Sequence, residues 1–461
     1  MIRLFNHYLR RQVLLQILFD LGLPLVAVIG FVLLQLQSGH RDVLPWVATQ
    51  GLSLSATLLV INTASGLYQP AHGRTLNQSC ARAALALLLA LPVAYAIFSL
   101  MPMDVSYRDS IRWAALACVA GVIGHRVHAA HVIRASRPHS RILIFGSDTP
   151  GQLVGRTLRE SDPQAHVVGY YPGPNETRSV VDTRQLLSNQ RSLRDCAQDM
   201  KVDEIVVALA ERRGGSMPLR ELLDCKIGGI RVSDLSTHFE KLLGQIRIDH
   251  LHAGWLIFGD GFAQGIYRAS IKRLFDVLCA VLLLILASPI LLLTALAIVL
   301  DSKGSIFYCQ ERVGQAGRAF NVLKFRSMCT DAERDGQPKW AAAKDDRVTR
   351  VGAVIRRFRI DELPQLWNVL RGDMSLVGPR PERPYFVDQL TREIPYYAVR
   401  HSIKPGITGW AQVRYRYGAT VADSREKLQY DLYYVKNHSL FLDIIILFET
   451  ISVVLSGEGA R

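Results

Sequence analysis

The stretch Val277–Leu300, VLCAVLLLILASPILLLTALAIVL, lies between Lys272-Arg273 and Lys303 and is almost wholly apolar. At about 1.5 Å per helical residue it is long enough to cross the ~30 Å hydrocarbon core of a bilayer. Two features oppose a simple crossing. Lys272 and Arg273 precede the run, while Lys303, Arg312, Arg318, Lys324 and Arg326 follow it, so both flanks carry the charge that favours the cytoplasm. Ser288-Pro289 falls at its middle, where a proline removes a backbone donor and breaks or bends a helix. The sequence therefore predicts a helix-break-helix element over about 271–301 that enters and leaves the membrane on one face.

The 461 residues allow two or three domains, and the 49% hydrophobic content is concentrated in runs. Four candidate spans come first, at about Val13–Leu36, Pro45–Leu67, Ala83–Leu100 and Trp113–Ile133, the last interrupted by Arg126, His128 and His131. They define a transmembrane domain over 1–135. Arg3, Arg10 and Arg11 precede it and Arg134, Arg137 and Arg141 follow it, so both its ends are expected on the cytoplasmic face. Asp20 and Pro24 interrupt the first run, which argues against a cleaved signal peptide; Asp20 is read as a packing or hydrogen-bonding residue. A net charge of +14 suits nucleic acid or an anionic membrane face, and basic residues flanking apolar runs favour the lipid bilayer, with no nucleic acid as partner. Seven cysteines without a CxxC pair indicate neither a zinc site nor a disulfide framework.

Over 140–250, strand-like runs at Arg141–Gly146, His166–Tyr171, Glu204–Leu209 and Gly229–Val232 alternate with helical stretches, the pattern of a Rossmann-like parallel α/β module. Gly146, Gly151 and Gly155 depart from GxGxxG, with Asp148 where the second glycine belongs. An acid there repels a pyrophosphate, so a structural or regulatory role is favoured over nucleotide binding. A second apolar stretch, Leu440–Leu455, carries Asp443 and Glu449 and reads as either an interfacial or a buried helix.

The chemistry is concentrated in Arg356-Arg357-Phe358-Arg359-Ile360-Asp361-Glu362-Leu363-Pro364-Gln365. Arginine forks orient phosphoryl oxygens, and of two neighbouring carboxylates one can attack phosphorus while the other holds a divalent metal. Around it lie Lys324-Phe325-Arg326-Ser327-Met328, the run Asn368 to Pro381 ending in Gly378-Pro379-Arg380-Pro381, and Lys404-Pro405-Gly406-Ile407-Thr408-Gly409-Trp410-Ala411-Gln412-Val413. Together, from about Ser270 to Arg461, these resemble the bacterial sugar transferase family, the monotopic phosphoglycosyltransferases, in their large form with four spans and a Rossmann-like module. The tail from Arg414 to Tyr434 resembles its exopolysaccharide-type branch.

The resemblance implies a mainly helical catalytic domain over 268–461 with a re-entrant helix, on the cytoplasmic face of a bacterial inner membrane. Lys272, Arg273 and Asp276 would stand at the interfacial start of that helix and Ser288-Pro289 at its break. It implies transfer of a sugar 1-phosphate from a UDP-sugar, glucose or galactose, to undecaprenyl phosphate with release of UMP, and it leaves room for a homodimer. Asp361 matches the nucleophile and Glu362 the Mg²⁺ ligand; Lys324, Arg326, Arg356 and Arg380 are the candidate phosphate contacts. Arg359 is expected to face solvent or headgroups, and Gly378, Gly406 and Gly409 to serve the backbone. A non-catalytic scaffold with a nucleotide-sensing module is the rival reading, and the intact Asp361-Glu362 pair speaks against it. A chain starting near Ala269 is expected to retain activity.

Overall fold

The computed structural model describes residues 2–4, 7–9, 11–35, 44–64, 140–329 except 163–164, 175, 177–178, 210–216, 252–255, 257–260 and 263–264, and 347–456 except 416–417 and 419. The third and fourth candidate spans lie outside the described residues. Strands β1 (Ile2–Leu4) and β2 (His7–Leu9) pair antiparallel ahead of two packed apolar helices, α1 (Arg11–Gln35) and α2 (Leu44–Ala64). Asp20 is buried between these helices and accepts from Asn62 Nδ2 at 3.1 Å, while Ser55 Oγ donates to the Leu21 carbonyl at 2.8 Å. Polar groups in an apolar setting find each other, since an unpaired one is costly there.

The expected module is present. β3 (Ser140–Phe145), α3 (Thr149–Ser161), β4 (Ala165–Tyr171), α4 (Leu193–Asp199), β5 (Glu204–Val207), α5 (Leu219–Ile227), β6 (Arg231–Asp234) and α6 (Leu235–Leu243) form a parallel sheet in the order β4-β3-β5-β6. At the β3–α3 turn, the Ser147 amide and hydroxyl and the Gly173 amide all donate to the Glu176 carboxylate, at 2.7, 2.8 and 3.0 Å. Burial and the Glu176 charge push Asp148 up. The Glu176 carboxylate thus satisfies the backbone and hydroxyl donors at the end of β3.

The rest begins with α7 (Ile266–Asp301), the one helix among the described residues long and apolar enough to cross a membrane. Leu282, Ile285, Leu286, Leu292, Leu293 and Leu300 are 56% to 78% exposed along it, far more contiguous apolar surface than water tolerates. Where a break was expected, α7 continues through Pro289 as one element. The carbonyl that Pro289 cannot reach is that of Ile285, and Ser288 Oγ donates to it at 2.8 Å. Both ends of α7 are held by later elements of the chain, which include the hairpin β7 (Phe307–Val313) and β8 (Ala319–Phe325), α8 (Arg350–Arg357), α9 (Gln365–Arg371) and β9 (Ser375–Val377). At its start Lys272 Nζ meets Asp443 at 2.8 Å and Asp276 at 3.6 Å, Arg273 donates to the carbonyls of Val369 and Leu370, and the Leu376 amide donates to Asp276 at 3.3 Å. At its end Ile298 packs against Phe325 and Ile355, and the Val351 amide donates to Asp301 at 3.1 Å.

α10 (Pro384–Glu393), β10 (Gly406–Thr408), α11 (Trp410–Arg414), α12 (Val421–Asn437) and α13 (Leu440–Ser456) complete the domain. α13 buries one side: Leu442 and Ile446 enter the core, Asp443 also accepts from Tyr434 Oη at 2.6 Å, and Glu449 accepts from Arg414 at 2.6 Å, while Ile444 and Ile451 are exposed. Its contacts include α2, so one of the N-terminal apolar helices meets the C-terminal domain through it. Two further segments join that core from outside. Ile246, Ile248 and Leu251, which follow α6, are part of it. His7 is buried against Trp410 and Tyr433, its Nδ1 lying 2.8 Å from Tyr433 Oη, and burial together with Arg414 pushes its pKa down to about 3.

β9 and β10 pair in parallel, and Gly378, Gly406 and Gly409 lie where their backbones touch. A Cβ on Gly406 would stand 2.1 Å from the Gly378 nitrogen, and one on Gly409 2.2 Å from the Gly378 oxygen. Close approach, rather than a left-handed turn, fixes these glycines. Gly406→Ala is expected to cost about 3 kcal/mol by forcing backbone against backbone, read as a lowered unfolding midpoint in detergent.

Candidate active site

The central turn is built by a local conflict. Thr349 caps α8, its Oγ1 accepting from the Gly352 amide at 2.9 Å, and Gly352 lies so close to Ser327 that a Cβ would be 2.0 Å from its carbonyl oxygen. α8 ends at Arg357, and Arg359 then takes a left-handed backbone, φ +55°, before the short 3₁₀ turn Ile360–Glu362. That conformation costs a non-glycine residue about 1–2 kcal/mol. It reverses the chain so that Asp361 and Glu362 face inward, and Arg359 Nη1 contacts Glu362 Oε2 at 3.2 Å. Arg359 is therefore a partner of the acidic pair, not the solvent-facing residue expected. Pro364, with φ −60°, leads directly into α9.

Glu362 is buried among three cations. Arg380 Nη2 donates to Oε1 at 2.6 Å and Nη1 to Oε2 at 3.5 Å, and Lys324 Nζ reaches Oε1 at 3.3 Å. Burial pushes Glu362 up, but Arg380, Lys324 and Arg359 outweigh it and hold the carboxylate well below its usual range. Asp361 goes the other way. Burial, then the charge of Glu362, raises it to about 6, opposed by Lys324, Arg380 and Arg356. Adjacent carboxylates pushed apart in this way mark different roles for the two. Arg356 keeps spare capacity beside them: its Nη1 is buried with no hydrogen-bond partner.

Each cation is set by structure the sequence did not reveal. Lys324 lies on β8, which Asn368 of α9 grips by donating to the Asn321 carbonyl at 2.7 Å and accepting from the Leu323 amide at 2.9 Å. The Pro379-Arg380-Pro381 turn is clamped by two arginines. Arg400 Nη2 donates to the Arg380 carbonyl at 2.9 Å while its Nε holds Asp431 at 3.0 Å and its Nη1 Tyr397 Oη at 2.9 Å; Arg312 Nη1 donates to the Pro381 carbonyl at 3.1 Å. The sequence's signal for this network is an acid, Asp431, directly before the buried run Leu432-Tyr433-Tyr434.

Arg326 has a different place from the one expected. Its Nη1 donates to the Lys303 carbonyl at 2.8 Å and its Nη2 to the Ser302 carbonyl at 2.7 Å, so it closes the C-terminal end of α7. The carbonyls at and just past the helix cap lack intrahelical partners, and this guanidinium takes two of them. Lys324, Arg356 and Arg380 thus gather at Asp361-Glu362, whereas Arg326 binds α7 to the domain.

Residues 267–457 match the family described as Bacterial sugar transferase. A UDP-glucose:undecaprenyl-phosphate glucose-1-phosphate transferase of Escherichia coli (strain K12) is 32% identical over 359 residues, 76% of this chain and 75% of that protein. The chain belongs to the bacterial sugar transferase family. Its namesake in Xanthomonas campestris pv. campestris is 30% identical over 389 residues, 79% of either chain. A UDP-N-acetylgalactosamine-undecaprenyl-phosphate N-acetylgalactosaminephosphotransferase of Aeromonas hydrophila is 50% identical over 242 residues, 52% of this chain, and the match spans only 56% of that protein's length. In this sugar transferase the acidic pair and its three cations all fall inside the family segment. Arg380→Ala would leave the buried Glu362 without its shortest contact, and a loss of about 3 kcal/mol in unfolding free energy is expected. Adding Glu362→Gln should recover much of it, as a double-mutant cycle by thermal denaturation would read.

Proposed function

We propose that this sugar transferase moves a sugar 1-phosphate from a UDP-sugar to undecaprenyl phosphate, giving an undecaprenyl-diphosphate-sugar and UMP, through a covalent intermediate on Asp361. The observation that carries the reading is the opposite displacement of the two neighbouring acids, with Glu362 held ionised and Asp361 raised to about 6. An Asp361 carboxylate oxygen attacks the sugar-bearing phosphorus, the bond from that phosphorus to the UMP oxygen breaks, and UMP leaves. An oxygen of undecaprenyl phosphate then attacks the same phosphorus and displaces Asp361. Two displacements replace one encounter between two free anions. Arg356, with its unpartnered Nη1, and Arg380 and Lys324 beside the pair supply the positive field that draws the phosphates in.

A magnesium ion belongs to this reading. The donor set suits it, because Mg²⁺ takes hard carboxylate oxygens one or two at a time and completes its shell with phosphates and water. Glu362 would hold it, in exchange for the long contacts of Lys324 at 3.3 Å and Arg380 Nη1 at 3.5 Å. When bound, the ion supplies further positive charge to the diphosphate.

α7 fits a re-entrant element in this scheme. A straight helix would separate Lys272 from Ser302 by about 45 Å, yet Lys272 and Arg273 near one end and Ser302 and Lys303 at the other are bound by the same domain. With basic residues on both sides, the active site faces the cytoplasm of an inner membrane, and the product primes exopolysaccharide assembly. Reporters fused at Gly265 and Gly317 should both read as cytoplasmic, and a periplasmic signal at Gly317 would overturn the topology.

Asp361→Asn should abolish UMP release while the protein stays folded and membrane-bound. With a panel of UDP-sugars including glucose, galactose and N-acetylgalactosamine, and no lipid acceptor, intact-protein mass spectrometry should show a sugar-phosphate adduct on the wild type alone. Glu362→Gln should be strongly impaired and partly rescued by raised Mg²⁺. A protonated Asp361 cannot attack, so UMP release should rise as the pH increases through about 6 and then level. Wild-type turnover without an adduct, together with an active Asp361→Asn, would discard the covalent step.

A further inference from the structure

We infer that α6, the last helix of the α/β module, positions the transferase site, with Trp410 as the residue through which it acts; this rests on the covalent reading above. Glu240 of α6 is buried and accepts from two residues at the end of α12, Lys436 Nζ at 2.7 Å and Asn437 Nδ2 at 2.9 Å. One turn later Gly244 ends α6 in the left-handed region, φ +64°, and its carbonyl accepts from the Trp410 indole at 2.8 Å. Gly244 serves two needs at once, because a Cβ there would stand 3.1 Å from Trp410 Cζ2. The indole also stacks on Tyr433 with centroids 5.9 Å apart, meets His7 edge-on at 5.5 Å and lies 4.2 Å beneath the Arg414 guanidinium.

Trp410 is one residue from Gly409, whose backbone rests on the Gly378 carbonyl, and Gly378 opens the turn that carries Arg380 to Glu362. The second contact converges on the same place: α12, held by Glu240 at Lys436, presents Tyr434 Oη to the Val377 carbonyl at 3.0 Å. Two separate grips of α6 therefore end within three residues of Arg380. Both lie upstream of the segment matched by the family, and a chain beginning near Ala269 would lack Glu240, Gly244 and the core residues Ile246, Ile248 and Leu251. Such a chain would lose both the carboxylate that meets Lys436 and the carbonyl that accepts from the Trp410 indole.

The test is pre-steady-state UMP release by the full chain from a UDP-sugar without lipid acceptor, in detergent. Burst amplitude counts competent sites, and burst rate reports how well each site is arranged. Trp410→Phe keeps an aromatic ring and loses the N–H, and Glu240→Gln removes the charge facing Lys436. Both are expected to retain most of the wild-type amplitude with a burst rate at least fivefold lower, and Glu240→Gln with Lys436→Met should return the rate to within twofold of wild type. If amplitude falls while the remaining sites react at the wild-type rate, or if neither rate changes, α6 is a structural support only and the inference is wrong. If the wild type turns over with acceptor but shows no burst, the covalent reading fails instead. The same variants are then compared by steady-state kcat per folded chain, where unchanged values overturn the positioning role and a fivefold fall without change in KM supports it.

Discussion

Everything near Asp361 depends on keeping Glu362 ionised while buried. A carboxylate removed from water would ordinarily take up a proton, and here Arg380, Lys324 and Arg359 prevent it. Burial lifts its neighbour Asp361, and the retained charge of Glu362 adds to the rise. The surrounding architecture can be read as the means of delivering three cations to one point: a hairpin strand for Lys324, a clamped proline-rich turn for Arg380, and a left-handed residue for Arg359. Removing any one leaves the other elements in place but without a common purpose.

Much of this was legible in the sequence because it rests on local pattern. Alternation of apolar runs gave the four parallel strands within one or two residues, and the apolar run after Lys272-Arg273 gave α7. Asp361, Glu362, Lys324, Arg356 and Arg380 were named from residue type and motif, and the fold gathers all five. What stayed hidden depends on geometry that no spacing encodes. Whether an arginine faces solvent or a carboxylate turns on one backbone dihedral at Arg359. Whether Arg326 meets phosphate or a helix end depends on where α7 stops relative to β8.

The same limit applies to long-range docking. Arg400 and Asp431 are 31 residues apart, and Glu240 and Lys436 are 196 apart. Apart from the apolar residues that follow Asp431, their neighbourhoods read like surface sequence, and it is tertiary contacts that bury them. Proline offers the opposite lesson, since Pro289 was read correctly as a residue that withholds a donor, yet Ser288 supplies one to the same carbonyl and α7 continues. In hydrocarbon, where no water can stand in, that substitution matters more than it would in a soluble helix.

The burial of His7 sets an order of events in biosynthesis. The residue that receives it, Tyr433, lies 426 positions later, and Trp410, the other ring beside it, is nearly as distant. On the ribosome β1, β2 and α1 emerge long before either ring exists, so the strand carrying His7 must wait, unplaced, until the chain has been made as far as Tyr433. Its arrival is then a closing step of assembly. A bulky group placed on the β1–β2 hairpin would burden that last step and leave the earlier synthesis of the chain untouched.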